Sequence, residues 1–521
     1  MAALSEKEQI AVLSAPITLP CGLTIRNRLV KAAMEELFFP RPNGPGELDE
    51  ALHEVWGQGG WGMIISGNVQ VSPAHLGSPL DLAVPSSSPP PAETAAAFAR
   101  WAASLRPSSS SNTSRTAGPT PRTLAIMQLN HPGRQSMRFG SGRPFSSPAL
   151  APSAVPLSAG NGMLGQVLGK ALWGTPREMA SEDIGEVVQG FVRGARLARE
   201  TGWDGVELHA SHGYLLAQFM SPKTNLRSDE YGGTARKRLA LLFRIIDAIR
   251  AELPQESGFC VGVKLNSSDY VKGGLTEQDA LDNIKSIAEH GGVDFIEISG
   301  GSYENPEFMS SASTQQPSSV AREAFFDAFA HRARWLVSTL PPSTLPSPAP
   351  LILLTGGLRT RLGMVRALYS PSKSPASADL VGLARPAAAD PLLPRRLLSP
   401  AVPAAEARAP TYDSLSGVRW LRFLFGWVAV AGPGLDVLWH TMALRQIALR
   451  RREEKRRWRA LHGVEKKGEV VPLQRSEEGY PLSGFWVLAW RVHIAPALPG
   501  WLLGFAGAVV VAVLGKSYSF L

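Results

Sequence analysis

The segment His209-Ala-Ser-His212-Gly-Tyr214 sets two imidazoles and a phenol within six residues, directly after the apolar run Gly205-Val-Glu-Leu208. Two imidazole N–H groups converging on one point can hold an oxygen that gains negative charge, and a phenol beside them can supply a proton. That is chemistry on an activated carbonyl. A metal reading of His-x-x-His lacks a third ligand at a recognisable spacing, and a core-histidine reading leaves the tyrosine unexplained. Met127-Gln-Leu-Asn-His-Pro-Gly-Arg-Gln135 gathers polar and turn residues after another apolar run. Its Gln128 can both donate to and accept from a heterocyclic edge such as the pyrimidine of a flavin, although a capped loop explains the same residues. Lys264 interrupts the apolar run Gly262-Val-Lys-Leu265, where a cation is costly unless it meets an anion, either a ligand or a structural ion-pair partner. Leu354-Thr-Gly-Gly357 and Val381-Gly-Leu-Ala-Arg385 carry glycines where backbone N–H groups can approach a phosphate.

These groups need a scaffold, and the chain supplies a rhythm for one. Apolar runs at 29–34, 63–69, 124–129, 205–209, 261–265, 295–299, 351–355 and 380–383 read as buried strands. Helical periodicity fills several intervals, as in Ser181 to Thr201, where Ser181 is the expected cap, and in Thr276 to Gly291. Strands alternating with helices, nearly all apolar, predict an α/β fold, a closed (β/α)8 TIM barrel over residues 1–410, with an open doubly wound sheet as the competitor. The reactive groups then fall at the carboxyl ends of strands, where barrel active sites form. Pro/Ser/Thr-rich stretches at 85–91, 107–121 and 340–350 are expected to be mobile surface insertions.

The 521 residues, 44% hydrophobic with 50 glycines, suffice for one large domain plus an extension. Net charge is +9, but many basic residues fall in one late block, Arg450 to Arg459, so a nucleic-acid partner is not implied. Two isolated cysteines, Cys21 and Cys260, support neither a disulfide framework nor a zinc site. The N-terminus lacks a basic segment followed by an apolar one, so a cleaved secretion signal is not expected and a cytosol-facing location is. Residues 411–521 read as a helical extension. Within it, 494–514 carries no charge and is long enough to cross a bilayer, which predicts a C-terminal membrane anchor. The block Trp420 to Leu444 contains Arg422, Asp436 and His440 and is expected to pack on the barrel or lie in the interface.

Taken in order, Asn27-Arg-Leu-Val-Lys-Ala-Ala-Met34, Gly62-Met-Ile-Ile-Ser-Gly-Asn68, Gln128-Leu-Asn-His-Pro-Gly-Arg134 and His209-Ala-Ser-His-Gly-Tyr214 resemble the Old Yellow Enzyme family of FMN-containing ene-reductases. The likeness continues through Gln218-Phe-Met-Ser-Pro-Lys-Thr-Asn-Leu-Arg-Ser-Asp-Glu-Tyr-Gly-Gly233, Lys264, Ser299-Gly-Gly-Ser-Tyr303 and Asp390-Pro391, covering roughly 15–400.

The resemblance implies FMN with Ala32, Ala33, Met34, Asn68 and Gln128 around its ring, and Lys264, where many members have arginine, beside N1 and the C2 carbonyl. Gly357, Ala384 and Arg385 match the phosphate end, alanine standing where glycine is usual and making the approach tighter. It further implies NADPH or NADH as hydride donor and a small electron-poor alkene as substrate, its carbonyl held by His209 and His212 and its α-carbon protonated by Tyr214. The alternatives are a 2,4-dienoyl thioester-type reductase, which usually adds an iron–sulfur cysteine cluster, and a membrane-tethered barrel that has lost turnover. A homo-oligomer stays open. Glu35 departs from the threonine or cysteine usual at its position; an ionised carboxylate there only accepts hydrogen bonds and is expected to lower the flavin potential.

Overall fold

A computed structural model describes residues 4–38, 44–106, 121–158, 162–299, 319–346, 348–370, 376–410 and 431–462, with 471 and 473. Its centre is eight strands: β1 Leu29–Lys31, β2 Met63–Gln70, β3 Leu124–Asn130, β4 Gly205–Ala210, β5 Cys260–Asn266, β6 Phe295–Ser299, β7 Leu351–Thr355 and β8 Leu380–Leu383. Each pairs in parallel with its neighbour in sequence, and β1 pairs with both β2 and β8, so the sheet closes on itself. Closure excludes the open doubly wound sheet. A two-residue strand, Leu82–Ala83, adds to the far end of β2.

Helices cover the outside because the strands are apolar on both faces. The helix Ser181–Thr201 spans the predicted residues, but its start differs from the expected one. The preceding residue, Ala180, is the N-cap and has no side-chain acceptor; its own N–H donates to Asp183 Oδ2 at 2.7 Å, the reciprocal half of a capping box, so Ser181 lies in the first turn instead of capping it. Glu277–His290 is capped by Thr276, whose hydroxyl accepts from Asp279 N at 3.2 Å.

Inside the barrel, side chains alternate along each strand, and the inward set changes character from bottom to top. The lower layers hold Val30, Met63, Ile65, Leu124, Ile126, Cys260, Phe295, Leu353 and Leu380, closed from below by Leu19, Cys21, Leu23 and Ile25 on and beside a short hairpin. Gly262 is required there: a Cβ would meet the Phe295 ring at 2.1 Å. Two residues further along the same strands stand Lys264, Glu297 and Thr355, all buried.

The described part of the C-terminal extension is one long helix, Ala431–His462, which takes in the end of the Trp420 to Leu444 block and the whole basic block. It packs on the helix Glu47–Gln58 and buries Trp439, Met442, Ala443, Ile447 and Arg451. Arg451 donates to Glu54 Oε1 at 2.6 Å and Glu454 Oε2 at 3.1 Å, while Lys455 reaches Glu54 Oε2 at 3.1 Å. Part of the basic block therefore serves packing rather than surface charge. Among the described residues no helix is long and apolar enough to cross a membrane, and the expected anchor at 494–514 lies outside them. So do 107–120 of the second insertion, while Pro85–Pro91 is a loop tied by Arg196 Nη1 donating to Ser88 Oγ at 2.8 Å.

Candidate active site

β4 delivers His209 and then turns sharply. His212 at φ 56° and Gly213 at φ 73° are both left-handed, which reverses the chain before the short helix Leu215–Met220. Glycine suits this conformation; for histidine it is a strained backbone held by its surroundings, here by His212 N donating to Asn266 Oδ1 at 3.0 Å. The turn brings three rings together. The His209 centroid lies 5.1 Å from that of His212 and 4.7 Å from that of Tyr214, both edge-on.

Hydrogen bonds assign the imidazole protons. Ser211 N donates to His209 Nδ1 at 3.3 Å, which leaves the His209 proton on Nε2, 3.4 Å from His212 Nδ1. His212 Nε2 sits 2.9 Å from Ser299 Oγ, a hydroxyl that can donate or accept. A ligand oxygen entering between the rings can thus take the His209 proton directly and the His212 proton after a tautomer change that Ser299 permits. Both rings are neutral. Burial, then the neighbouring His212, then Lys264 hold His209 well below the usual imidazole range, and burial followed by Lys264 lowers His212 to about 3.

Below and beside the rings lies a polar layer. Strand pairing sets Asn68 beside Gln128, Gln128 beside Glu207, and Lys264 between His209 and Glu297. Gln128 Nε2 donates to Glu207 Oε2 at 2.6 Å, and Lys264 Nζ lies 2.8 Å from Glu297 Oε1. Burial and then the Glu297 charge push Glu207 well above the carboxylate range. Burial works against Lys264 as a cation, but Glu297 and Glu207 outweigh it and its pKa rises. The same Lys264 offsets the effect of burial on Glu297, which stays low. Lys264 is thus ion-paired and still near the strand ends, so its two readings are not exclusive.

Glu297 and Glu207 are site residues that sequence reasoning passed over, and Ser299 entered it only as part of a family motif, without a role. The signal was available: a carboxylate between apolar neighbours in Ile296-Glu-Ile298 is as costly as Lys264 in its own strand. Glu35 is half-buried and its Oε1 accepts from Tyr214 Oη at 2.6 Å and from Asn68 Nδ2 at 2.8 Å. Ala32, Ala33 and Met34 follow β1, with Ala32 N still bonded to Leu383 O at 3.2 Å. Gly357 has φ 77° after β7, and Ala384 and Arg385 begin the short helix after β8. Ala384 sits at φ −91° and ψ −86°, outside the left-handed region that favours glycine. Of the Ser299 to Tyr303 segment only Ser299 is described.

At the opposite end of the barrel, ligand-capable atoms of Cys21, Cys260 and Asp294 lie within 4.8 Å of one another. Asp294 accepts there from Val261 N and Arg250 Nη2, both at 2.7 Å, and from Gln255 Nε2 at 2.9 Å, and burial raises the Cys260 thiol well above its usual range. The residues are far apart in sequence, so spacing did not reveal them.

The mouth can be tested as a flavin site on one detail. Asn68 Oδ1 is buried with no hydrogen-bond partner, beside Gln128 and in the same layer as a buried cation. An acceptor, an amide and a cation in a row match the N–H and carbonyl groups of an isoalloxazine pyrimidine edge, so the residues fit the group. Residues 121–324 match the sequence profile of the NADH:flavin oxidoreductase / NADH oxidase family. The NADH-dependent flavin oxidoreductase iccE of Talaromyces variabilis is 38% identical over 442 residues, covering 84% of this chain and 98% of that protein. The chain belongs to this family.

The NADH-dependent flavin oxidoreductase iliE of Neonectria sp. is 42% identical over 74% of this chain, which spans about half, 47%, of that relative's length. The Old Yellow Enzyme homologue of Zymomonas mobilis has the same fold, with a TM-score of 0.54 and 22% identity over 77% of this chain and 99% of that one. As a family member the protein is an oxidoreductase with FMN as cofactor and a nicotinamide nucleotide as hydride donor.

Proposed function

We propose that the protein reduces electron-poor alkenes, α,β-unsaturated carbonyl compounds, with NADH or NADPH. The observation that carries this reading is the joint placement of His209, His212 and Tyr214 by one turn at the end of β4, level with Lys264. FMN, when bound, supplies the hydride that reaches the alkene β-carbon. Ala32, Ala33, Met34, Asn68 and Gln128 would hold its ring, Lys264 the N1 side, and Gly357, Ala384 and Arg385 its phosphate. Neutral His209 and His212 donate to the substrate carbonyl oxygen and draw electrons from the double bond, since neutral donors stabilise a developing oxyanion without an added charge to neutralise. Tyr214 Oη protonates the α-carbon.

Rapid-mixing measurement of His209→Ala tests the assignment. Removing an oxyanion donor costs on the order of 10² to 10³ in rate. Oxidation of the reduced enzyme by cyclohexenone should slow by that factor while reduction by NADH keeps its rate; oxidation at parental speed would remove His209 from the role.

Membrane attachment through 494–514 is part of the same proposal and rests on the uncharged sequence of that segment. A Val509→Arg, Val511→Arg double variant should move from the membrane pellet to the supernatant; a parent chain already in the supernatant ends the idea.

A further inference from the structure

Glu35 makes its closest contact with the residue assigned the last chemical step. Its Oε1 lies 2.6 Å from Tyr214 Oη, and Asn68 Nδ2 fixes the same oxygen at 2.8 Å and stands 3.4 Å from the phenol. The tyrosine is only 5% exposed, whereas Glu35 is half-buried, so the carboxyl stands between a buried phenol and the outside. Among the described residues the ionisable groups around it are few. Tyr214, with His209 edge-on to its ring, faces it from the β4 turn, and β2 presents the neutral Asn68. From the loop after β2 comes Asp81, whose Oδ2 accepts from Gln70 Nε2, Gly77 N and Ser78 N. His75 on that loop packs against His131, 5.0 Å between centroids, and Glu36 turns away to accept from Gly67 N at 3.0 Å, near Lys31 and His53.

The contact has opposite consequences in the two states of Glu35. An ionised carboxylate holds the phenol's proton and opposes a phenolate beside it, because two like charges would face each other. A neutral carboxyl has one O–H to give, and giving it to the phenol oxygen frees the phenol's own proton for a substrate carbon. Burial and then the nearness of Glu35 push Asp81 to about 7, so this neighbouring carboxyl can carry a proton near neutral pH.

We propose that Glu35 is the proton relay that reloads Tyr214. This rests on Tyr214 acting as the α-carbon acid. The balance is simple: the alkene double bond opens, its β-carbon takes hydride from the NADH-reduced cofactor, and its α-carbon takes the Tyr214 proton. The phenolate takes the Glu35 proton, and Glu35 takes one from water.

The test compares the parent holoenzyme with Glu35→Gln, Glu35→Asp and Tyr214→Phe. Glutamine keeps an acceptor oxygen but exchanges no proton, so cyclohexenone-driven oxidation should fall at least tenfold, in keeping with the roughly 10² to 10⁴ that a positioned acid contributes. Its alkaline pH limb should move with it, and reduction by NADH should be unaffected. Glu35→Asp should recover part of the loss. The independent readout is tyrosinate ultraviolet absorbance, with Tyr214→Phe identifying the signal: without the carboxylate the phenol should ionise lower by roughly one pH unit or more. A shifted phenol with an unchanged rate profile keeps the contact and overturns the relay. An unshifted phenol and an unchanged profile overturn both. If Tyr214→Phe turns over the enone at parental speed, the acid assignment to Tyr214 fails instead, and the relay with it.

Discussion

The barrel mouth and the seam under the C-terminal helix both bury charge, and they treat it differently. At the seam Arg451 meets Glu54 and Glu454, Lys455 reaches the other oxygen of Glu54, and the acids and bases answer one another across two helices. At the mouth Lys264 meets Glu297, Glu207 is driven toward its neutral form, and Asn68 Oδ1 is left without a partner. Each region holds a buried polar atom with no hydrogen bond, Gln446 Oε1 at the seam and Asn68 Oδ1 at the mouth, so what separates them is place: the mouth's lies beside a buried cation at the carboxyl ends of the strands, where barrel ligands bind.

Breaking the mouth should do the most damage. Lys264→Met leaves Glu297 buried without its counter-ion, a change expected to cost about 3–5 kcal/mol of stability and to yield protein with little flavin colour. Melting curves and the absorbance spectrum report both, and a yellow protein of parental stability would place Lys264 outside the flavin site. Arg451→Met attacks the seam in the same way. Glu54 keeps Lys455, so the loss should sit near the lower end, about 3 kcal/mol, with the flavin spectrum and enone turnover unchanged. A seam variant that loses flavin would erase the distinction between the two regions.

Acid gives a smaller and finer contrast. His75 and His212 are lowered from 6.5 to about 4 and about 3, chiefly by burial, and His131 and His209 are also lowered, so the mouth is rich in histidines held neutral. In each the folded pKa lies below the unfolded one, so the unfolded chain binds protons first as the pH falls. Their stabilisation is complete above pH 6.5 and drains below it, by up to about 1.4 kcal/mol per pH unit for each residue. Glu36, raised to about 7 by burial, acts in the opposite sense below that pH. The clean measurement is therefore a difference: between pH 6.5 and 4.5 the melting temperature of His75→Gln should fall less than that of the parent, and equal falls would remove His75 from the account.

The barrel was legible because each strand is buried on both faces and announces itself as a short apolar run, with ends that the structure shifts by little. Length-dependent detail was less legible. β1 stops at Lys31 rather than Met34, and the start of Ser181–Thr201 is set by Asp183. At the site, His209, His212 and Tyr214 were visible because one turn carries them together. Glu35 was visible only as a departure, since the phenol that meets it lies 179 residues away. The C-terminal region read as an apolar block followed by a basic one, and the structure runs the end of the first and all of the second into a single helix. Pairing with Glu54, far away in sequence, together with Glu454 on the same helix, explains why an arginine from the basic block is buried.

The change of inward side chains along the strands, from Leu353 to Thr355, Phe295 to Glu297 and Gly262 to Lys264, makes the barrel an insulator with one conducting end. Below, the packed hydrocarbon has little capacity to respond to a charge, so an electron pair arriving at the top is answered almost entirely by the groups already there.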